Sequence, residues 1–362
     1  MPPPNGTIRI ALDSMGGDYA PEETVRGAVQ AAASTGVEVI LVGEPTILEA
    51  ELCKYDIEGL PIRVVWADGR INEGEHPAFA LRNRPNASVA VATRLLKSGE
   101  ADAMVSAGST GATSASAMHF LGVIPGLHRP AVCVPLIGFA PTTVLVDGGA
   151  NVDCRPQHLL SFAAVGNVYA KKIMNVENPK VALLSVGAEA GKGNRLLQES
   201  YPILEHSGLD FIGNIEGHDI LSGRANVIVC DGIVGNVLMK FYESLGFYVV
   251  RWLRDRLGNS TLAGSVRKLL EQMSAFTRMT RDESDGGGLL WGINGIVHLM
   301  HGNSRAHQIE AAIARARHAA DADLIGYLKA EVDIIQHRCR NYVKTDARLG
   351  QRPVIAATRQ GP

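Results

Sequence analysis

The chain has 362 residues, 46% of them hydrophobic, and a formal net charge of −2 at pH 7. This length can bury a large core as one big α/β domain or as two. The near-neutral charge argues against a nucleic-acid partner, which would need a basic face. No run of about 18 apolar residues occurs, so any membrane contact is expected to be peripheral.

The cysteines and the first residues predict a cytoplasmic protein. Five cysteines are scattered along the chain without CxxC spacing, which favours free thiols in a reducing compartment. The start, MPPPNGT, lacks the basic and apolar regions of a signal peptide. HExxH and GxGxxG are absent, so we expect no metal and no cofactor, and a dinucleotide site is disfavoured.

Apolar, strand-like runs alternate with amphipathic stretches from residue 7 onward. This alternation is typical of βαβ units and predicts a three-layer αβα fold with a mostly parallel sheet. The segment IGFAPT is expected to form a hairpin that adds antiparallel strands. The predicted strands are 8–13, 37–42, 62–66, 103–106, 131–136, 143–146, 181–185, 211–215 and 227–230, and predicted helices include 22–33, 87–97, 157–174 and 194–206.

Four of these strands run into a short glycine-rich loop that opens a helix. The loops are SMGGD (14–18), AGSTG (107–111), GAEAGKGN (187–194) and DGIVGN (231–236). Loops at the carboxyl ends of strands place backbone N–H groups and helix N-termini around one crevice, where α/β proteins bind anions. The sequence therefore predicts an enzyme acting on a phosphate or another small anion.

Lys192 lies between two glycines of the third loop. A nucleotide P-loop has four residues between its first glycine and the GK pair, and Ser or Thr follows that pair. This loop has three residues there and glycine after the pair, so ATP hydrolysis is not expected. The ammonium group would suit a phosphate oxygen. The alternative is an ordinary surface lysine in a turn.

Polar residues at other loop ends are candidates for chemistry, each with a structural alternative. Asp231 is either an active-site carboxylate or a helix N-cap, and Asn236 could donate to a developing oxyanion. His301 is either a general acid–base group or part of a cap, and Ser304 is expected to cap a final helix that ends near 336. The residues predicted to bind substrate are Gly16, Gly17, Asp18, Ser106, Gly108, Ser109, Thr110, Gly111, Asn151, Asn294 and Ser304.

Residues 240–281 interrupt the alternation and predict a helical hairpin inserted in a single domain of residues 1–339. Helical spacing begins at Val234 and a second helix is expected over 262–276, with eight Lys or Arg against three acidic residues in 240–281. The hairpin could pack on its own domain or a second subunit, or dock anionic lipid headgroups or an acidic carrier protein. Residues 340–362 are expected to form a loosely ordered tail.

Taken together, these motifs resemble the phosphate acyltransferase family of bacterial phospholipid synthesis, often called PlsX. The resemblance runs in the same order over roughly residues 7–335. Its segments are ALDSMGGDYAP (11–21), LLKSGEADAMVSAGSTGA (95–112), RPAV (129–132), DGGANVDCRPQHL (147–159), NPKVALLSVGAEAGKGN (178–194), FIGNIEG (211–217), ANVIVCDGIVGNVLMK (225–240) and GGGLLWGINGIVHLMHGNS (286–304).

The resemblance implies transfer of a fatty acyl group from acyl carrier protein to inorganic phosphate. It also implies a fold like that of phosphate acetyltransferases and isocitrate dehydrogenases, a homodimer, and peripheral membrane association through the hairpin. Lys192 and Asn236 would be active-site residues.

In the resulting hypothesis, Lys192 and the N–H groups of 106–111 hold phosphate, and Asn236 stabilises the oxyanion. His301 protonates the departing thiolate, and residues 16–18 shape the site. Two alternatives are a metal- and NAD-dependent β-decarboxylating dehydrogenase of similar fold and a non-enzymatic membrane scaffold for lipid-synthesis enzymes.

Overall fold

The computed structural model describes residues 6–136, 140–257 and 287–348. The chain divides into two compact units: unit 1 lies within 1–124 and 282–326, and unit 2 within 125–281 and 327–362. The single domain over 1–339 stays a prediction.

Helices and strands alternate along most of the described chain. In chain order they are β1 (Arg9–Asp13), α1 (Glu22–Thr35), β2 (Glu38–Gly43), α2 (Pro45–Leu52), β3 (Ile62–Trp66), α3 (Pro77–Asn83), α4 (Ser88–Ser98), β4 (Ala103–Ser106), α5 (Thr110–Phe120), β5 (Ala131–Pro135), β6 (Val144–Val146), α6 (Pro156–Lys172), β7 (Lys180–Leu184), α7 (Arg195–Glu205), β8 (Asp210–Ile215), a 3₁₀ turn (Gly217–Asp219), β9 (Val227–Val229), α8 (Gly232–Leu257), β10 (Gly288–Trp291), β11 (Ile296–Leu299), α9 (Ala306–Asp321) and α10 (Leu324–Arg348).

The strands of unit 1 follow the order β3-β2-β1-β4-β11-β10. All neighbours pair in parallel except β10, which is antiparallel to β11. Successive strand residues face opposite sides, and β1 is buried from Ile10 to Asp13, so both faces of the sheet are covered. Ala11 packs in the core that contains α4 and α5 residues. Elsewhere in the unit, α1 lies so close to α9 that a Cβ at Gly27 would be 2.7 Å from Ile309 Cβ.

The strands of unit 2 follow the order β5-β6-β9-β7-β8, with β5 antiparallel to β6 and the others parallel. Val227 of β9 contacts α6 at Gly166, where an added Cβ would clash with its side chain. The next residue, Ile228, belongs to the core against which Leu238 of α8 packs. Helices therefore cover both faces of this sheet as well.

The predicted α/β fold and mostly parallel sheet are confirmed. Each predicted strand is present to within one residue at either end, and β5 and β6, on either side of IGFAPT, are antiparallel as predicted. Residues 137–139 of that segment lie outside the described residues. The helical spacing from Val234 corresponds to α8. The predicted second hairpin helix, 262–276, lies outside the described residues.

The prediction for the final helix was wrong in three respects. There are two helices, α9 and α10, separated where Asp323 adopts a φ of 46°. The N-cap of α9 is Arg305, while the Ser304 hydroxyl donates to the His301 carbonyl at 2.6 Å. The second helix continues to Arg348, past the predicted helix end near 336 and into the segment predicted to be a loosely ordered tail. Residues 349–362 lie outside the described residues.

Among the described residues, no helix is both long and apolar enough to cross a membrane.

His158 is a buried titratable group in the first turn of α6. Its Nδ1 accepts a hydrogen bond from the Arg155 backbone N–H at 3.2 Å. Burial, helped by the positive charges of Arg129, His128 and Arg155, lowers the pKa of His158 from 6.5 to about 4. The folded chain therefore keeps this ring neutral where the unfolded chain protonates it.

We expect the free energy of unfolding to fall as pH drops from about 6.5 towards 4, because His158 is protonated in the unfolded state and stays neutral in the folded state over this range. His158→Gln keeps a hydrogen-bond acceptor and removes the titration, so its loss of stability between pH 7 and pH 5 should be smaller. Urea unfolding at both pH values measures this, with the exposed His318→Gln as control. Equal losses in wild type and His158→Gln would contradict the assignment.

Candidate active-site loops

Three loops of unit 1 meet at one edge of its sheet. The parallel strands β1, β4 and β11 end in register at Asp13, Ser106 and Leu299. In the loops that follow, the Asp18 N–H donates to the Gly302 carbonyl at 2.7 Å. The structure thus joins 14–18, 107–111 and 300–304 into one surface.

Glycine is required at the closest approach between the first two loops. A Cβ at Gly16 would lie 2.6 Å from Asp13 Oδ2 and 2.8 Å from the Gly108 nitrogen. The next residue, Gly17, has a φ of 105°, a conformation that side chains disfavour. These predicted residues therefore shape the surface by bringing the two backbones together.

A buried carboxyl group organises these loops, and it was missed in the sequence analysis. Asp13 is 2% exposed, and its Oδ2 accepts a hydrogen bond from Ser106 Oγ at 2.7 Å. The same hydroxyl accepts from the Gly108 N–H at 3.1 Å. Burial raises the pKa of Asp13, which favours its neutral form. An acidic residue at the end of an apolar strand was the available sequence signal.

The N-terminus of α5 presents backbone donors. Ser109 is buried and caps the helix by accepting from the Ala112 N–H at 3.4 Å. Thr110 and Gly111, in the first turn, are exposed. Because first-turn N–H groups have no intrahelical partner, this end can receive an anion.

The structure separates two residues that the sequence grouped with these loops. His301 is exposed and follows β11, so it lies at the carboxyl edge with the glycine loops. Asn294 precedes β11, and its N–H donates to the Gly122 carbonyl at 2.9 Å. A strand lies between the two residues, so Asn294 is at the opposite edge of the sheet.

Arg70 is a basic residue beside the glycine loops that was also missed. Its Nη1 donates to the Gly17 carbonyl at 3.0 Å. Nearby, a Cβ at Gly111 would lie 3.0 Å from Pro77 Cγ. The segment from Arg70 to Pro77 therefore borders two of the loops, and no local sequence pattern indicates this contact.

A second buried aspartate, Asp147, organises the turn that follows β6 in unit 2. Its Oδ1 accepts from the N–H groups of Val132, Gly149 and Ala150 at 2.9–3.3 Å. Its Oδ2 accepts from the backbone and side-chain nitrogens of Asn151 at 2.7 and 2.8 Å. The side-chain amide of Asn151 also donates to the Pro130 carbonyl at 2.7 Å, so its two N–H groups are used in contacts within the protein.

Asn236 is exposed in the first turns of α8 and lies against Gly149. A Cβ at Gly149 would be 3.1 Å from Asn236 Cβ and 3.2 Å from its Oδ1. Asp231 Oδ1 accepts from the N–H groups of Ile233 and Val234 at 3.0 Å. The N-cap interpretation of Asp231 is confirmed, and its catalytic role stays a prediction.

Lys192 lies in the loop after β7, and Asn236 in the helix after the neighbouring parallel strand β9. Both residues are exposed at the carboxyl edge of the unit 2 sheet. The structure thus brings the predicted loops together in two groups, one in each unit, and the single crevice stays a prediction.

The thiols beside these loops are weakly acidic. Cys154 Sγ donates to the Asn151 carbonyl at 3.6 Å, and burial raises the pKa of Cys154 to about 11. Burial also raises the pKa of Cys230. Because the thiolate is the reactive form, neither group suits nucleophilic attack near neutral pH.

Within residues 6–136, 140–257 and 287–348, no three His, Cys, Asp or Glu side chains are grouped so that they could hold a metal ion.

The arrangement of strands and loops is found in a known class of α/β proteins. A phosphotransacetylase from Streptococcus pyogenes matches with a TM-score of 0.58 at 20% identity, covering 87% of this chain and 94% of that one. The fold is therefore that of the phosphotransacetylases, as the sequence predicts.

The sequence comparison is more specific. Residues 8–326 match the family model described as "Fatty acid synthesis protein". The phosphate acyltransferase of Desulforamulus reducens is 41% identical over 90% of this chain and 98% of its own length. That of Pelotomaculum thermopropionicum is 42% identical over 91% and 96%. The chain belongs to this family, and the predicted resemblance is confirmed.

We expect Gly16→Ala to lower the free energy of unfolding by about 1–3 kcal/mol, because the new methyl group must displace the backbone at Gly108. Urea denaturation measures the change. Gly288→Ala, where a Cβ meets nothing within 4 Å, is the control in the same unit. Equal stability of the two variants would show that the loops can separate without cost.

Proposed function

We propose that this chain transfers a fatty acyl group from acyl carrier protein to inorganic phosphate, giving acyl phosphate for phospholipid synthesis. Membership of the family of phosphate acyltransferases supports this reaction. The observation that supports it in this chain is that Lys192, in the loop after β7, and Asn236, in the first turns of α8 after the neighbouring strand β9, lie at the same edge of the sheet.

The two exposed residues supply different parts of the chemistry. The Lys192 ammonium group holds the phosphate dianion by charge. The Asn236 amide donates to the carbonyl oxygen of the thioester as negative charge develops there. The N-terminus of α8, fixed by the Asp231 cap, orients this amide.

A phosphate oxygen attacks the thioester carbonyl carbon and forms a tetrahedral intermediate. Its collapse breaks the carbon–sulfur bond, yielding acyl phosphate and the carrier thiolate, which then takes a proton. His301 is proposed as the proton donor, with residues 16–18 and 106–111 as further substrate-binding groups. Asp231, Asn151, Asn294 and Ser304 remain sequence predictions without an assigned step.

Phosphate accepts the acyl group directly in this scheme. Cys154 and Cys230 lie near the proposed site, but their raised pKa values keep both thiols protonated near neutral pH. An acyl-cysteine intermediate would need the thiolate. Phosphate is already anionic and needs only to be held beside the carbonyl.

We expect the purified protein, palmitoyl-acyl carrier protein and phosphate to give phosphate-dependent release of carrier thiol and a matching hydroxamate when hydroxylamine traps acyl phosphate. Asn236→Ala should lower kcat about 10²- to 10³-fold, the usual effect of losing an oxyanion donor. Lys192→Ala should raise the KM for phosphate by roughly tenfold or more, since a hydrogen bond to a charged group is lost.

The control is Lys180→Ala, which removes an exposed lysine at the other end of β7. Normal turnover by folded Lys192→Ala would overturn the phosphate assignment. Nicotinamide reduction that requires a divalent metal would favour the dehydrogenase. The absence of product across several chain lengths, with vesicle binding retained, would favour the scaffold.

We also propose that residues 240–281 mediate peripheral contact with an anionic membrane and that the chain is a homodimer. Val237, Phe241 and Trp252 are each about three-fifths exposed along α8. Lys240 and Arg251 are exposed on the same helix. An apolar stripe beside basic residues suits a surface of anionic lipid.

We expect Trp252→Ala to weaken sedimentation with phosphatidylglycerol vesicles several-fold, because the indole loses its apolar burial. Trp66→Ala, which removes another exposed tryptophan at the edge strand β3, should bind as wild type does. Unchanged vesicle binding by Trp252→Ala, with a change from dimer to monomer in light scattering, would instead assign this face to a second copy.

A further inference from the structure

Two side-chain amides hold the backbone around Lys192. Asn214 of β8 donates from Nδ2 to the Glu189 carbonyl at 2.8 Å, and the Lys192 N–H donates to the same oxygen at 3.0 Å. Gln198 of α7 donates from Nε2 to the carbonyls of Gly191 and Gly193 at 2.9 and 3.1 Å. Three carbonyl groups of this short loop are therefore fixed by amides from outside it.

Within the loop, the Lys192 N–H bonds to the Glu189 carbonyl, and at its end Asn194 Oδ1 accepts from the Leu197 N–H at 3.1 Å. The two glycines that flank Lys192 have no side chains to pack, and Gly193 adopts a φ of 99°. Glycine loses more conformational freedom on ordering than other residues. Without the two amides, the exposed ammonium group would sample many positions.

Asn214 is the buried member of the pair. It is 5% exposed, and its Oδ1 is buried without a hydrogen-bond partner. Ser185 Oγ, at the end of neighbouring β7, is likewise buried and unpartnered. A buried unpartnered acceptor is destabilising, so the amide is poorly explained by its contribution to the core. Its bond to the Glu189 carbonyl is the contact it makes.

We propose that Asn214 and Gln198 are positioning residues for Lys192. They do not touch substrate; they fix the backbone that directs the lysine towards the phosphate. This inference rests on the proposed function, because it assumes that Lys192 binds phosphate. Small displacements of a substrate-positioning group can cost as much as about 10²-fold in rate.

The test is a double-mutant cycle on kcat/KM for phosphate. Asn214→Ala and Gln198→Ala should each lower it about 10- to 100-fold in the wild-type background. In the Lys192→Ala background, the same substitutions should have little further effect, because the side chain they position is gone. Equal losses in both backgrounds would overturn the proposal.

Asn226→Ala is the matched control. The Asn226 amide also donates to a backbone carbonyl, that of Thr142, at 3.0 Å, but at the amino edge of the same sheet. It should leave the phosphate KM unchanged. If Asn214→Ala fails to fold, the exposed Gln198→Ala decides the outcome.

Hydrogen exchange separates failure of this inference from failure of the proposed function. The amides of 187–193 should exchange faster in Gln198→Ala and Asn214→Ala than in wild type and in Asn226→Ala. Faster exchange with no phosphate-dependent turnover in wild type would overturn the proposed function and leave the loop contacts intact. Unchanged exchange would overturn the positioning role even in an active enzyme.

Discussion

The turn after β6 and the start of α8 depend on one buried carboxyl group, that of Asp147. It accepts five hydrogen bonds, which tie Val132 of β5 to the turn that contains Gly149 and Asn151. From that turn, the Asn151 carbonyl accepts the Gly232 N–H at 2.9 Å and fixes the start of α8. Gly149 in turn abuts Asn236. Removing the carboxylate would leave several buried donors unsatisfied, at about 1–3 kcal/mol each, so the position of Asn236 is determined by a residue that it does not contact.

Unit 1 has a carboxyl group in a comparable place. Asp13 is the last residue of β1, and Asp147 is the first residue after β6. Both side chains are buried. Its hydrogen bond from Ser106 does not offset burial, so the pKa of Asp13 is raised. This shift favours the neutral form of the carboxyl group beneath the glycine loops. Each unit thus uses an interior aspartate to order loops whose outer surfaces present donors.

Within each unit, the exposed polar side chains and the groups that orient their loops occupy different places. Lys192 and Asn236 of unit 2, and His301 of unit 1, are each exposed at the carboxyl ends of strands, while the groups that orient the loops lie below them or beside them. Such a division suits a reaction in which the substrates bring their own nucleophile and leaving group. The protein then has to hold phosphate and stabilise charge, and it needs fixed backbone more than a reactive side chain of its own.

The sequence by itself determined nine of the eleven described strands, the mostly parallel α/β fold and the family, because buried parallel strands appear as continuous apolar runs and glycine-rich loops mark their ends. It did not determine which end of a strand a residue occupies: Asn294 and His301 are close in sequence, yet β11 separates them across the sheet. Only the tertiary structure joined Arg70 to Gly17, Asn214 to Glu189 and Asp147 to Val132. These contacts link separate segments by hydrogen bonds whose partners no periodicity reveals, because side-chain direction is set only once the sheet is assembled.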